Sequence, residues 1–352
     1  MNLAYFASFF ILFLYGQRLQ VSLALVNVRR SLNRLERFRE SAHDRLLESV
    51  MRYNKGRAEV EARIDRVTKS FAITPVSLDP SGVVRKLEHV IDTYDNHLKQ
   101  EVRTVAVGAS EAEVNTLTNQ LEVSIGLDAM YRVVRHYYLL ARKQGGLMAL
   151  AQLQMALPTI MEEAEAYSAA IDAFAQGKPV GDGVGPLVAN RLAAGTEAKE
   201  LIPDTVVYDV SFEGRQLLVV RGKGPGGNVG KPGSAVEQLI REKGPINLVV
   251  TVDASLKLEG EPSGNIAEGT GAAIGGPGTE RYHIEESATR NGIPLAAVVV
   301  NMSSKEAIST MTPQIAKGAE EAVGFVKNLI LDQTRPGDRI VVAGVGNTIG
   351  IA

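Results

Sequence analysis

Residues 216–234 read QLLVVRGKGPGGNVGKPGS. A short apolar run ends in a glycine-rich loop, and a helical pattern follows at Ala235–Lys243. Strand, glycine loop and helix in that order are the unit of an α/β domain. Two readings of the loop stand open. It is a cradle whose backbone N–H groups face an anion at a helix start, or a tight turn that needs glycine for close packing. It is not a Walker loop. Pro225 stands where that spacing requires glycine, and Pro232 stands where a hydroxyl would hold magnesium.

Working outward, the same alternation continues to the C-terminus. Thr205–Phe212 and Arg215–Val220 flank Glu213-Gly214, a two-residue hairpin signal. Ile246–Val252 and Leu295–Val300 are unbroken apolar runs of buried-strand type, and Arg339–Ala343 is a last strand. Thr279–Arg290 reads as a helix ending at Asn291-Gly292. Ser304–Leu331 reads as one long helix indented near Pro313. Strands separated by helices predict a small, mostly parallel sheet.

The preceding half reads as helical. Apolar residues recur at three and four from Val21 to Phe71, which predicts one arm of about 75 Å at 1.5 Å per residue. Two prolines and a glycine in TPVSLDPSG (74–82) break it. A second helix runs to Val105. Ser110 and Glu113 form a capping box that opens a third, and a fourth follows Gly145-Gly146. The fourth contains Pro158 and is apolar almost all round, which places Met148, Met155 and Met161 in a core.

The first fifteen residues, MNLAYFASFFILFLY, carry no charged side chain, and arginines follow at 18, 29, 30, 34, 37 and 39. This pattern predicts a single-pass anchor over residues 1–17, in contact with lipid, with the bulk of the chain cytoplasmic. The expected organisation is anchor 1–17, helical arm 18–72, bundle 81–197 and α/β domain 203–352.

The 352-residue chain has net charge −2, 5% aromatic residues, no Trp and no Cys. That argues against nucleic acid as a partner and excludes disulfides and thiolate chemistry. In a parallel sheet, ligands bind beyond the carboxyl ends of the strands. The segments after Val220, Val252, Val300 and Ala343 all fall there. The candidate anion site is Lys223, Gly224, Gly226, Gly227, Asn228, Gly230 and Lys231, closed by Asn347 and Thr348. Asp253 ends a buried run and is the candidate catalytic carboxylate. With Glu268 it is the candidate magnesium site, since a hard cation takes oxygen ligands. The five histidines show no metal-ligand spacing, and no nucleophile–base pair is visible.

The runs 253–278 (DASLKLEGEPSGNIAEGTGAAIGGPG), 222–233 (GKGPGGNVGKPG) and 344–350 (GVGNTIG) resemble an archaeal family of uncharacterised proteins, domain of unknown function fifteen-twelve. LQMALPTIMEEAEA (153–166) and GKPVGDGVGPLVA (177–189) extend the resemblance over nearly the whole chain. It implies an archaeal source and an N-terminal membrane segment, and no activity. The residues themselves point to a membrane-anchored protein binding a phosphorylated small molecule or nucleotide, with magnesium if chemistry follows. The alternative is an oligomeric, non-enzymatic scaffold whose glycine loops are structural.

Overall fold

The structure, a computed structural model, describes residues 3–75, 82–144 and 147–352. Most of the 74–82 loop, and the Gly145-Gly146 pair, lie outside the described residues. A helical N-terminal region is followed by a mixed-sheet domain.

Helix α1 spans Leu3–Val50 and α2 spans Arg57–Val67. The expected single arm from Val21 to Phe71 is therefore two helices. The break is built by Asn54, whose Oδ1 accepts from the Gly56 N–H at 2.9 Å and whose Nδ2 donates to the Val105 carbonyl at 3.2 Å. This is the self-capping that makes Asn a turn former. α2 then folds back, and Asp65 meets His43 at 3.0 Å. Leu46 and Val50 share a core with Val60, Ile64 and Val67. The periodicity runs through the break because both helices turn their apolar faces into that one core.

Helices α3 (Val83–Val105), α4 (Glu111–Gln144) and α5 (Leu147–Ala175) complete the region. The capping box forms as expected: the Ser110 N–H donates to Glu113 at 2.7 Å, and the Glu113 N–H donates to Ser110 Oγ at 3.4 Å. α5 runs unbroken through Pro158. Its core face carries Leu150, Leu153, Leu157 and Met161. Met148 and Met155 lie on the exposed face, against expectation. No helix among the described residues is long and apolar enough to cross a membrane.

The sheet has seven strands: β1 (Lys199–Ile202), β2 (Thr205–Phe212), β3 (Arg215–Gly222), β4 (Leu248–Leu256), β5 (Ile266–Thr270), β6 (Leu295–Met302) and β7 (Arg339–Gly344). Their order is β1-β2-β3-β7-β4-β6-β5. The four central strands are parallel, while β1, β2 and β5 join antiparallel at the edges. The sheet is mixed rather than mostly parallel: the β2–β3 hairpin pairs antiparallel, and the short strands KELI and IAEGT, too short for a sequence period, add antiparallel pairs at the two edges. The β2–β3 turn is the expected one, with Glu213 and Gly214 both at positive φ (44° and 73°).

Helices cover both faces. α6 (Val184–Leu192) and α10 (Pro313–Gln333) pack on one, α7 (Pro232–Lys243) and α8 (Thr279–Asn291) on the other. α6, expected in the helical half, belongs to the sheet layer. The expected Ser304–Leu331 helix is α9 (Ser304–Ile308) and α10, separated where Thr312 caps α10 and Pro313 begins it.

Candidate functional site

Parallel pairing brings the carboxyl ends of β3, β7, β4 and β6 to one edge. Helices α3 and α4 stand over that edge. Lys99 pairs with Asp204 at 2.7 Å and Asp92 with Lys231 at 2.6 Å. Asn119 Nδ2 donates to the Gly227 carbonyl at 2.8 Å. His283 on α8 sits between Glu88 of α3 (3.3 Å) and Glu237 of α7 (2.9 Å).

Between helices and edge lie two adjoining cavities of about 410 and 500 Å³. They share Asp92, Asp95, Val229, Gly230 and Lys231. The smaller reaches Asp182 in the 3₁₀ turn and Asp253, which lies inside β4 rather than just past a strand ending at Val252 as expected; the larger reaches Asn115, Asn119 and Glu122 on α4.

The glycine loop is largely engaged from within. A Cβ on Gly224 would stand 1.7 Å from the Ile351 carbonyl, and one on Gly226 would stand 2.7 Å from Ala112 of α4. These glycines let the loop touch the C-terminal segment and the helical region. The Asn228 N–H donates to Thr348 Oγ1 at 3.3 Å, and the Lys231 N–H to Thr205 Oγ1 at 2.8 Å. Thr348 is fully buried and holds the loop; it lines neither of these two cavities. Asn347 lines the larger cavity and donates from Nδ2 to Asn119 Oδ1 at 2.7 Å.

At the start of α7, where an anion would bind, the Gly233 and Ser234 N–H groups donate to Glu280 Oε2 at 2.7 and 3.2 Å. A carboxylate of the chain itself occupies that position. Burial raises the pKa of Glu280 against the lowering effect of these two bonds.

Of the two candidate lysines, Lys223 pairs with Glu200 of β1, away from the cleft. Lys231 lines both cavities, with Asp92 as its partner. Burial opposes its charge, but Asp92, then Glu280 and Glu88, hold its ammonium above the ordinary pKa. Gly227, Asn228 and Gly230 also line the larger cavity.

Asp253 is 4% exposed. Its Oδ2 accepts from the Gly275 N–H at 2.9 Å and its Oδ1 from the Ala254 N–H at 2.7 Å. Burial first, and then the Asp182 carboxyl, push it up to about 8. Asp182 sits in the 3₁₀ turn Gly181–Gly183 and accepts from the Asn347 N–H at 2.8 Å; its pKa is raised by burial. Near neutral pH this pair retains a proton.

Glu268 is not part of this group. It pairs with Val298, which pairs with Val252, so its side chain points to the sheet face opposite Asp253. β6 also stands between their strands. Among the described residues no cluster of three or more His, Asp or Glu could hold a metal ion by itself.

The helix side of the cleft escaped sequence reading. Asp92, Asp95, Asn96 and Lys99 line it from α3, and Asn115, Thr118, Asn119 and Glu122 from α4. Both sets recur at three, four and seven, so each is a polar stripe on one helix face. Asp95 and Glu122 open on the cavity with no ion-pair or hydrogen-bond partner among the described residues. Both side chains are exposed to the cleft; desolvation within it, and then Asp95, raise the pKa of Glu122, and desolvation, with Asp92 and against the pull of Lys99, raises that of Asp95. The spacing was a visible signal. So was the lone acid in VGDGVGP, residues 180–186, which is Asp182.

Family profiles match the two halves in turn. Residues 2–177 match the N-terminal domain, and residues 180–352 the C-terminal domain, of the protein of unknown function DUF1512. The chain belongs to the DUF1512 family. The two profiles meet just before Asp182, so the cleft is lined by both family domains. No curated protein matches the chain.

Proposed function

We propose that the cleft binds a small phosphorylated molecule or nucleotide as its magnesium complex, with Asp253 facing the metal or a transferable proton. One observation carries this reading. The two cavity lysines are each matched by an acid, whereas Asp95, Glu122, Asp182 and Asp253 have no cation partner among the described residues. Asp182 and Asp253 hold a proton between them while the cleft is empty, and a ligand that brings positive charge can take that proton's place. A bare phosphate would meet repulsion. Magnesium is ordinarily held by one or two carboxylates together with ligand phosphates, so an all-protein cage is not required.

The test is a thermal-shift screen of the full chain with nucleotides, nucleotide sugars and phosphorylated metabolites, with and without magnesium. A ligand at a hundred times its Kd adds about 2.7 kcal/mol. A magnesium-dependent shift lost in Asp253→Asn supports the reading. A folded chain with no shift from any compound refutes it.

The packing of Gly224 and Gly226 on Ile351 and Ala112 favours a second reading, a non-enzymatic scaffold with structural glycine loops. Oligomer size that changes with loop substitutions, and no ligand found, is its signature. Both readings keep the apolar residues 1–17 as a membrane anchor with the chain on the cytoplasmic side. Recovery of the full chain in a detergent-free soluble fraction would remove that element.

A further inference from the structure

Arg215 and Arg221 of β3 are both buried, 8% and 4% exposed, and they are compensated differently. Arg215 lies against the carboxyl end of α10. Its Nε donates to Thr334 Oγ1 at 2.8 Å, its Nη2 to the Thr334 and Leu331 carbonyls at 2.7 and 3.5 Å, and its Nη1 to the Glu213 carbonyl at 3.0 Å. The carboxyl end of a helix carries partial negative charge, so this guanidinium finds its counter-charge within the chain. Arg221, near the carboxyl end of β3, does not. Nε and Nη2 share one neutral acceptor, the Tyr208 hydroxyl, at 3.1 and 2.7 Å, and Nη1 donates to the Gly222 carbonyl at 3.1 Å. Among the described residues it has no ion-pair partner. A guanidinium has five N–H groups, so one on each terminal nitrogen is left without an acceptor.

Arg221 lines an open hollow of about 410 Å³, together with Lys223, Glu200 and Gly224. No lining residue of this hollow borders either cleft cavity. Lys223 is taken up by Glu200. The Gly224 N–H has no acceptor among the described residues. A buried charge without an opposite charge is costly, so the Arg221 guanidinium marks a place for an anion. Oxyanions are the groups that paired guanidinium N–H groups grip. The side chains lining the hollow hold two cations and one acid, which suits a monoanion better than a dianionic phosphate. Ala198 and Val206 add an apolar wall for a short carbon skeleton.

We propose that this hollow, beside the first residues of the glycine loop, binds a small carboxylate, with Arg221 holding the anion and Lys223 and Glu200 setting the local charge. The inference does not depend on the proposed function of the cleft.

Isothermal titration of the full chain in chloride buffer with propionate and benzoate tests it. Propionamide and benzamide are the neutral controls, and inorganic phosphate is the other oxyanion. At least one carboxylate should bind, its amide should not, and phosphate should bind more weakly. Arg221→Met, judged on its circular dichroism as folded, should weaken carboxylate binding at least about tenfold, the size expected for a hydrogen bond to a charged group. Two half-exposed positions give a test that does not depend on that variant folding. Lys223→Ala should weaken binding a few-fold and Glu200→Gln should tighten it a few-fold, both effects fading as salt rises. Asp253→Asn should leave it unchanged. A folded wild-type chain that binds neither carboxylate overturns the inference, whether or not phosphate binds. So does binding that the amides reproduce, that survives in folded Arg221→Met, or that fails to move in opposite directions in the Lys223 and Glu200 variants.

Discussion

The glycine loop at 223–231 and Asp253 of β4 lie toward the same edge of the same mixed sheet, and they have opposite characters. The loop looks like a ligand cradle in one dimension. In three, the Asn228 and Lys231 N–H groups are engaged by Thr348 and Thr205, and Gly224 and Gly226 pack against Ile351 and Ala112. Asp253 carries no motif, yet it is buried beside a second carboxyl with no cation for either. Glycine content marks where backbone comes close; a buried carboxyl with no counter-ion marks where a proton or a ligand is needed.

The largest expected effect sharpens that contrast at Asp253. Its folded pKa of about 8 lies above its unfolded value near 3.8, so between these limits the native state binds the extra proton. Stability should therefore fall as pH rises from about 4 to about 8. At ~1.4 kcal/mol per unit the fall attributable to this group is on the order of several kcal/mol, shared with Asp182. The check is urea unfolding from pH 5 to 8.5 on wild type and Asp253→Asn. The difference between the two profiles should carry the slope. Parallel profiles would show that Asp253 is not held protonated.

At the loop, Gly224→Ala should cost about 2–3 kcal/mol, the range for forcing atoms into a filled space. Its Cβ would meet the Ile351 carbonyl, and Ile351 is itself buried, so the tail has no easy way aside. Denaturant midpoints measure this. If the loop is structural, ligand affinity per folded molecule stays as in wild type; a variant that keeps full stability but loses ligand would reverse the comparison.

What was legible follows the same division. The α/β alternation, the Glu213-Gly214 hairpin and the convergence of four strand ends could be read because each rests on local pattern or on parallel topology. The break at Asn54 could not be read from period, since α1 and α2 feed one core and keep one repeat across the turn. The stripes at Asp92–Lys99 and Asn115–Glu122 look like solvated faces, because spacing shows which residues share a face and not what that face meets. Asp182 reaches the Asp253 cavity only through the packing of α6 against the ends of β4 and β7. Glu268 offers the same oxygen-ligand chemistry as Asp253, but residue type does not show position, and strand register puts the two on opposite faces of the sheet.

A smaller effect asks whether Glu280 really takes the place of an anion at α7. Glu280→Ala leaves the Gly233 and Ser234 N–H groups without their acceptor and should cost about 1–2 kcal/mol. Sulfate or phosphate should then raise the Tm of the variant and leave wild type unmoved. An equal response in both would mean that the helix start was open all along.

The smallest effect concerns Lys231, which stands between the two lobes. Its pair with Asp92 is about 40% exposed on each side, so Lys231→Ala should change stability by less than about 1 kcal/mol. Its consequence for binding has a sign that discriminates. If the lysine holds a phosphate, the variant loses the magnesium-dependent nucleotide shift. If its role is to neutralise Asp92, its removal adds a carboxylate to the wall shared by both cavities. The nucleotide shift should then persist and saturate at lower magnesium, by an amount that fades as salt screens the exposed part of the cleft. Thermal shifts of wild type and variant with nucleotide over a magnesium series, at low and high salt, separate these outcomes. An intact shift that needs less magnesium would make Lys231 a counter-ion of the cleft rather than a phosphate ligand.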